Sequence, residues 1–381
     1  MTASDGDQSG GPFSWWTRMP LYLRILVGLV LGVAVGLALG PSAKPLDWPA
    51  RIVLRVLGAL APVLILVAVV KAIMAADIRG KTALRLAGLL LLNTVTAIVV
   101  GLVVANVLRP GSGAHLERPK SLLTIRPDIA SQLLENIPDS LVKPLVENKV
   151  IGVVFIAIAF GVAARGLKGS ERRTADDLVS LAFSCILVVL GWVIALVPLA
   201  VFGKVASIVG ASGFAPFVAL AWFVVSVLVA LAVQATYYLL RIRFGSWVRP
   251  RQLFAVTRDA LVMAFSTASS TLTMPVTYDR LRRLGLRERS ASLGALVGSN
   301  FNNDGTALYE AMAALFVAQM VGVELSLVDQ LLVVVTSVIA SVGAAGIPEA
   351  GLVTMTLVFG AVHLPTEYIA LLLTVDWFLD R

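Results

Sequence analysis

The stretch Gly298-Ser299-Asn300-Phe301-Asn302-Asn303-Asp304-Gly305-Thr306 decides how this chain folds. Apolar sequence flanks it from Leu293 to Val321, which is enough for one membrane crossing. An Asp near the centre of a bilayer costs at least roughly 2.5–3.5 kcal/mol. Asn and Asp side chains also compete with a helix for its own backbone groups, and Gly305 favours unwinding. The run therefore reads as an opened turn that presents oxygens: the Asn302 and Asp304 side chains and the carbonyls of Gly298 and Asn302. An oxygen-rich, sulfur-free set suits a hard cation. An inter-helix hydrogen-bonding knot is the other reading of the same residues.

The rest of the chain makes a membrane the only plausible setting. Its 381 residues are 58% hydrophobic and 14% charged, with mean hydropathy +0.89. A soluble domain carries about a quarter of its residues as charges, and disorder needs far less apolar sequence. The formal charge of +8 reflects Lys and Arg between apolar runs, as cytoplasmic loops require, and not a nucleic-acid surface. One cysteine, Cys185, excludes an internal disulfide, and no Cys/His cluster suggests a resident metal. No cofactor is expected. The first crossing is read as a span and not as a signal peptide, because Asp5 and Asp7 precede Arg18.

Working back from the decisive stretch, six apolar runs are long enough to cross: about Leu21–Gly40, Val53–Met74, Ala87–Leu108, Val150–Ala164, Leu178–Val201 and Phe214–Leu240. Residues 109–149 form the longest hydrophilic connection. Next comes Ala260–Thr277, interrupted by Ser266-Thr267-Ala268-Ser269-Ser270-Thr271 and by Pro275. Arginine clusters stand on both sides of it, so a hairpin that enters and leaves from the cytoplasm obeys the positive-inside rule where a simple span does not. Leu331–Leu364 is broken likewise by Ser341-Val342-Gly343-Ala344-Ala345-Gly346-Ile347-Pro348-Glu349-Ala350-Gly351, between acidic flanks that belong outside. This topology puts the larger share of the 31 Lys and Arg inside.

Bilayer hydrocarbon leaves bare peptide groups unsatisfied, so irregular backbone at that depth must be buried in protein or line a polar cavity. Two interrupted segments in one half of a chain point to the binding site of a secondary transporter. Helix N-termini at such breaks aim N–H groups at an anion, and freed carbonyls can hold Na+. Glu310 shares a helical face with Asn303 and Thr306. A carboxyl group held away from water is a candidate proton carrier, and a neutral structural Glu is the alternative.

At these residues the chain resembles the dicarboxylate/amino acid:cation symporter family, which includes excitatory amino acid transporters and archaeal aspartate transporters. The resemblance rests on Ala268-Ser269-Ser270-Thr271-Leu272-Thr273-Met274-Pro275, Asn302-Asn303-Asp304-Gly305-Thr306-Ala307-Leu308-Tyr309-Glu310, Ser341 to Gly351, and Val375-Asp376-Trp377-Phe378-Leu379-Asp380-Arg381. It implies an all-α polytopic membrane protein with a glutamate-transporter-like elevator fold: eight transmembrane helices, the last incomplete, and two re-entrant helical hairpins. Residues 1–20 would be a cytoplasmic N-terminus. Residues 21–250 would hold helices 1–6 and most of the scaffold, with helices 3 and 6 associated with the transport region. Residues 251–381 would form the transport core: hairpin 1 about 252–287, helix 7 about 290–321, hairpin 2 about 328–364 and partial helix 8 at 366–381.

The resemblance further implies a homotrimer in the cell membrane that carries an acidic amino acid or C4-dicarboxylate with Na+ and, by the match at Glu310, H+. Substrate would be held by Ser269, Ser270, Thr306, Gly346, Ile347, Gly351 and Asp380. Sodium would use Gly298, Asn302 and Asp304, with a second site from Ser341, Val342 and Ala344 and a third at Thr94 and Asn93. The chain departs from the family at Asn303 (usually Met), Asn300 (usually Thr), Leu90 (Tyr) and Asn93 (Thr or Ser), all near the sodium positions. The family pattern continues past Arg381 with a substrate-gripping Arg and sodium-site Asn and Asp. On that count the chain as written is expected to bind acidic substrate poorly. A truncated, non-transporting homologue that assembles into trimers is therefore a second reading, and a neutral amino acid carrier a third. An intramembrane hydrolase using Ser269 or Ser270 lacks a histidine base in the polar core of the hairpins, His363 standing near the outer end of the second, and no enzyme is expected.

Overall fold

The first helix, α1 (Leu21–Leu39), ends at Gly40, whose φ of 54° few other residues tolerate. This structure is a computed structural model, and it describes residues 19–75, 81–113, 138–147, 150–343 and 350–381. All regular elements among them are helical. A 3₁₀ turn, Gly40–Asp47, leads into α2 (Trp48–Ala75), followed by α3 (Lys81–Leu108), the one-turn α4 (Lys143–Val146) and α5 (Val150–Gly166). Then come α6 (Gly169–Ala195), α7 (Val197–Ser212) and α8 (Ala215–Gly245). Pairs of shorter helices complete the chain: α9 (Pro250–Thr267) with α10 (Ser270–Arg283), α11 (Glu288–Phe301) with α12 (Asp304–Met320), and α13 (Leu327–Gly343) with α14 (Ala350–Ala361). A 3₁₀ turn at Thr366–Tyr368 leads into α15 (Ile369–Leu379).

Among the described residues, four helical segments are long and apolar enough to cross a membrane: Leu23–Lys71, which takes in most of α1 and α2, Gly88–Leu108, Gly169–Ala195 and Ala215–Gly245. Their outward faces carry large apolar side chains in the open, such as Val99 and Val103 on α3, Leu178 and Trp192 on α6, and Val218 and Val229 on α8. In water that much exposed hydrocarbon would drive aggregation; in lipid it is the stable arrangement. The chain is a multi-pass membrane protein.

One helix boundary departs from the sequence reading. The apolar run Leu178–Val201 is not one helix: α6 ends at Ala195, and α7 starts afresh at Val197 and continues to Ser212. Pro198 is the cause, because it lacks an N–H and its ring clashes inside a helix but suits a first turn. The separate α7 packs along α1 by direct backbone contact. A Cβ added at Gly28, Gly32 or Gly36 would lie 2.5, 2.7 or 2.7 Å from the carbonyl oxygens of Pro198, Phe202 and Ala206. Small residues four apart let helices approach closely where lipid supplies no hydrophobic drive. Gly32→Leu is expected to cost at least about 1–3 kcal/mol by overpacking. Thermal unfolding in detergent should show it, with Gly58→Ala, which meets nothing within 4 Å, as the unaffected control.

The core of the second half is α12, whose residues from Ala307 to Ala318 are all buried. It lies against α3 so closely that Gly101 has room for no more than hydrogen: a Cβ there would stand 3.0 Å from the Leu308 carbonyl oxygen. Phe316 stacks on Phe223 of α8 at 4.5 Å between ring centroids, which fixes α8 on the same helix. Thus α3, α8, α13 and α14 all reach α12, and the break preceding it is where their polar residues meet.

Candidate functional site

The helix α11 stops at Phe301 and α12 starts at Asp304 because Asn302 and Asn303 take non-helical backbone angles, with ψ of 60° and 58°. Each side of the break is closed locally: the Asn302 N–H donates to the Gly298 carbonyl at 3.1 Å, and the Ala307 N–H to the Asn303 carbonyl at 3.0 Å. Asp304 thereby occupies the first turn of α12, where the helix dipole favours a negative charge.

Asp304 is buried, 6% exposed, and three donors from three parts of the chain converge on it. Thr94 Oγ1 of α3 donates to Oδ1 at 2.6 Å. The Tyr238 hydroxyl of α8 and the Asn302 amide, the latter at 3.0 Å, donate to Oδ2. Asn302 thus turns its NH₂ toward Asp304, and its own Oδ1 is buried with no hydrogen-bond partner among the described residues. A buried oxygen without a donor beside a carboxylate is what a small cation would complete. Asn303 turns the other way, and its amide donates to the Ser341 carbonyl of α13 at 2.8 Å. The Asn at this departure from the family pattern therefore ties the break to the first arm of the 327–361 pair.

Asn93, next to Thr94, faces α8: its side-chain oxygen accepts from Arg241, and its carbonyl from Gln234 Nε2 at 3.5 Å. Gly298 lies in the last turn of α11 and Val342 in the last turn of α13. Ala344, Gly346 and Ile347 lie outside the described residues.

The interruption between α9 and α10 is a single sharp turn. Ala268 sits in the left-handed region with φ 49°, which costs a non-glycine residue roughly 1–2 kcal/mol. Ser269 follows as the N-cap of α10, and its hydroxyl accepts from the Leu272 N–H at 3.2 Å. Ser270 is used differently: its hydroxyl donates to the Ser299 carbonyl at 2.8 Å, which docks the start of α10 onto α11. On the other side, Gly351 of α14 faces Thr306, whose methyl would lie 3.4 Å from a Cβ at that glycine. Asp380 lies at the end of α15, and its neighbour Arg381 donates to the Phe265 and Ser266 carbonyls at 3.3 and 2.9 Å. Both interrupted pairs therefore touch the stretch 298–306, α10 at Ser299 and α14 at Thr306.

Glu310 is completely buried, six residues along α12 from Asp304. The Thr354 hydroxyl of α14 donates to its Oε1, while Oε2 has no partner among the described residues. Three members of this site escaped sequence reading: Tyr238, Arg241 and Thr354. The first two stand where the sixth apolar run meets a basic cluster, a position that ordinarily marks only a helix end. Thr354 is separated by 44 residues from its partner, and only its place one turn after Gly351 could have drawn notice.

A family model described as the sodium:dicarboxylate symporter family matches residues 21–381. Over 238 residues the chain is 39% identical to excitatory amino acid transporter 2 of Homo sapiens, a match covering 61% of this chain and 41% of that protein. It is 38% identical over 242 residues to an excitatory amino acid transporter of Caenorhabditis elegans, covering 61% of this chain and 47% of that one. A longer match, 28% identical over 414 residues, joins 89% of this chain to 74% of excitatory amino acid transporter 1 of Ambystoma tigrinum. The chain thus spans less than half the length of the first two relatives.

Proposed function

The chain belongs to the sodium:dicarboxylate symporter family, and on that premise we propose that it is a secondary active symporter of acidic amino acids or C4-dicarboxylates, driven by Na+ and, through Glu310, by H+. The observation that carries this reading is the Asn302–Asp304 break, where a buried carboxylate adjoins a buried Asn302 oxygen with no donor. Sodium binds with oxygen ligands from Asn302, Asp304 and the Gly298 carbonyl, and the Ser341, Val342 and Ala344 carbonyls form a second position. Thr94 and Asn93 border a third position beside Asp304, where the Arg241 guanidinium reaches Asn93.

The anion sits between the breaks. Ser269 and Ser270 approach it from the α9–α10 turn, Gly346, Ile347 and Gly351 from the α13–α14 connection, and Thr306 from below. Asp380 takes a substrate ammonium. The contact between Gly351 and Thr306 and the docking of Ser270 on Ser299 support this placement. Residues 251–381, with α3 and α8, move as an elevator against a trimeric scaffold built mainly from residues 21–250, in a cell membrane with the N-terminus inside. The polar ties from α3 and α8 to Asp304 support grouping those two helices with the mobile part.

Purified protein in liposomes is expected to concentrate labelled aspartate, glutamate or succinate when an inward Na+ or H+ gradient is imposed. Uptake of these compounds that neither gradient alters, or none at all in vesicles shown to hold folded protein, contradicts the proposal.

A further inference from the structure

Tyr238 and Arg241 stand one turn apart on α8, and both are turned onto the cation-facing groups of α3 and α12. The Tyr238 hydroxyl donates to Asp304 Oδ2. Arg241 Nη1 donates to Asn93 Oδ1. Tyr237 fixes the guanidinium from a second side, its ring 5.3 Å from the guanidinium carbon and its hydroxyl 3.2 Å from Nη1. Gln234, two turns before Arg241, donates to the Asn93 carbonyl. Because Asn93 adjoins Thr94, and Thr94 donates to Asp304 Oδ1, two neighbouring residues of α3 link the guanidinium to the carboxylate.

The Asn93 and Thr94 oxygens are already engaged. Asn93 Oδ1 accepts from Arg241, Asn93 O accepts from Gln234, and Thr94 Oγ1 directs its proton to Asp304. Arginine carries no acceptor and stays protonated in proteins. A fixed positive charge held near a buried carboxylate opposes the entry of a second, mobile one. Asp304 Oδ2 takes donors from both Tyr238 and the Asn302 amide, whereas the Asn302 oxygen itself has no donor among the described residues. The oxygens around Asp304 are therefore treated unequally: α8 supplies donors to both Asn93 oxygens and to Asp304 Oδ2, and none to the Asn302 oxygen.

We infer that Arg241 and Tyr238 are ion-specificity determinants: Arg241 puts a built-in cation on the α3 oxygens and Tyr238 a donor on Asp304 Oδ2, so that sodium enters only where the Asn302 oxygen stands open. The chain then binds one sodium fewer than it would with a neutral side chain at position 241. This rests on the proposed sodium binding at Asp304, and it also deepens that reading by assigning the charge balance of its third position. Neither residue contacts the transported anion. Their effect is on which cations accompany it.

The test uses purified full chain in detergent, with ²²Na+ binding stoichiometry and the sodium dependence of thermal unfolding as readouts, choline holding ionic strength constant. Arg241→Gln is expected to bind one additional sodium per chain, with roughly tenfold lower half-saturation. Arg241→Lys, which keeps the charge, should match the unaltered protein. Tyr238→Phe, which frees a lone pair on Asp304 Oδ2, should shift sodium half-saturation in the same direction as Arg241→Gln and serves if that variant does not fold. Unchanged stoichiometry and half-saturation in both Arg241→Gln and Tyr238→Phe overturn the inference. If the unaltered protein binds no sodium, sodium coupling fails as a function; a first sodium site gained by Arg241→Gln would still support the inference.

Discussion

Asp304→Ala is expected to lower sodium-driven uptake by at least about a hundredfold and to erase the sodium dependence of thermal unfolding. A unit charge about 4 Å from a cation contributes on the order of 4 kcal/mol at an effective dielectric of about 20, which is nearly three decades of affinity. Removing the carboxylate also strands three donors, those of Thr94, Tyr238 and Asn302. Each stranded buried donor costs about 1–3 kcal/mol, so Asp304→Ala should also be less stable. Asp304→Asn separates the two effects: it removes the charge while keeping the volume and an acceptor oxygen for the Tyr238 and Asn302 donors. If Asp304→Asn is folded and retains the sodium response, the carboxylate is a structural knot and no ligand.

The second large effect is expected at Glu310. Glu310→Gln should leave sodium-driven uptake in place while abolishing the extra accumulation that an inward proton gradient produces. The carboxyl is wholly enclosed and touches Thr354 on one oxygen only, so its uncharged form can travel through lipid depth without unmet charge. Gln preserves the acceptor for the Thr354 hydroxyl and has no proton it can release at working pH. Uptake with and without a proton gradient, at fixed sodium, reads this out directly. A variant that responds to protons as the unaltered protein does removes Glu310 from the coupling and leaves it as a packing residue.

The parts of this molecule that were legible in its sequence are those whose physics is local. Asn302, Asn303, Asp304 and Gly305 disfavour a helix whatever surrounds them, and the break falls among them. Ala268 and Ser269 sit in a run of small hydroxyl residues, and the chain turns there for the same reason. The separate helix α7 was not legible, because its only signal is Pro198 inside an unbroken apolar run, and proline kinks a helix as readily as it starts one. Nor were Tyr238 and Thr354 as partners of Asp304 and Glu310. Tyr238 reaches Asp304 across 66 residues and Thr354 reaches Glu310 across 44, while Thr94, 210 residues from Asp304, is placed beside it by the family resemblance alone. Such pairings depend on how α3, α8 and α14 pack around α12, which no local pattern records. Arg241 shows the sharper form of this difficulty. In sequence it is one of many arginines on an inner helix end; in the folded chain its guanidinium is held by Asn93.

Everything above requires the turn after Asn303 to be a wet, ligand-holding place and not packed protein. Cysteine placed at Thr306, with the native exposed Cys185 replaced by serine, measures this most directly. A membrane-impermeant thiol reagent should modify Thr306→Cys, and aspartate together with sodium should slow that modification at least about tenfold. A folded Thr306→Cys protein that no aqueous reagent reaches from either side, with or without those ligands, would contradict the claim.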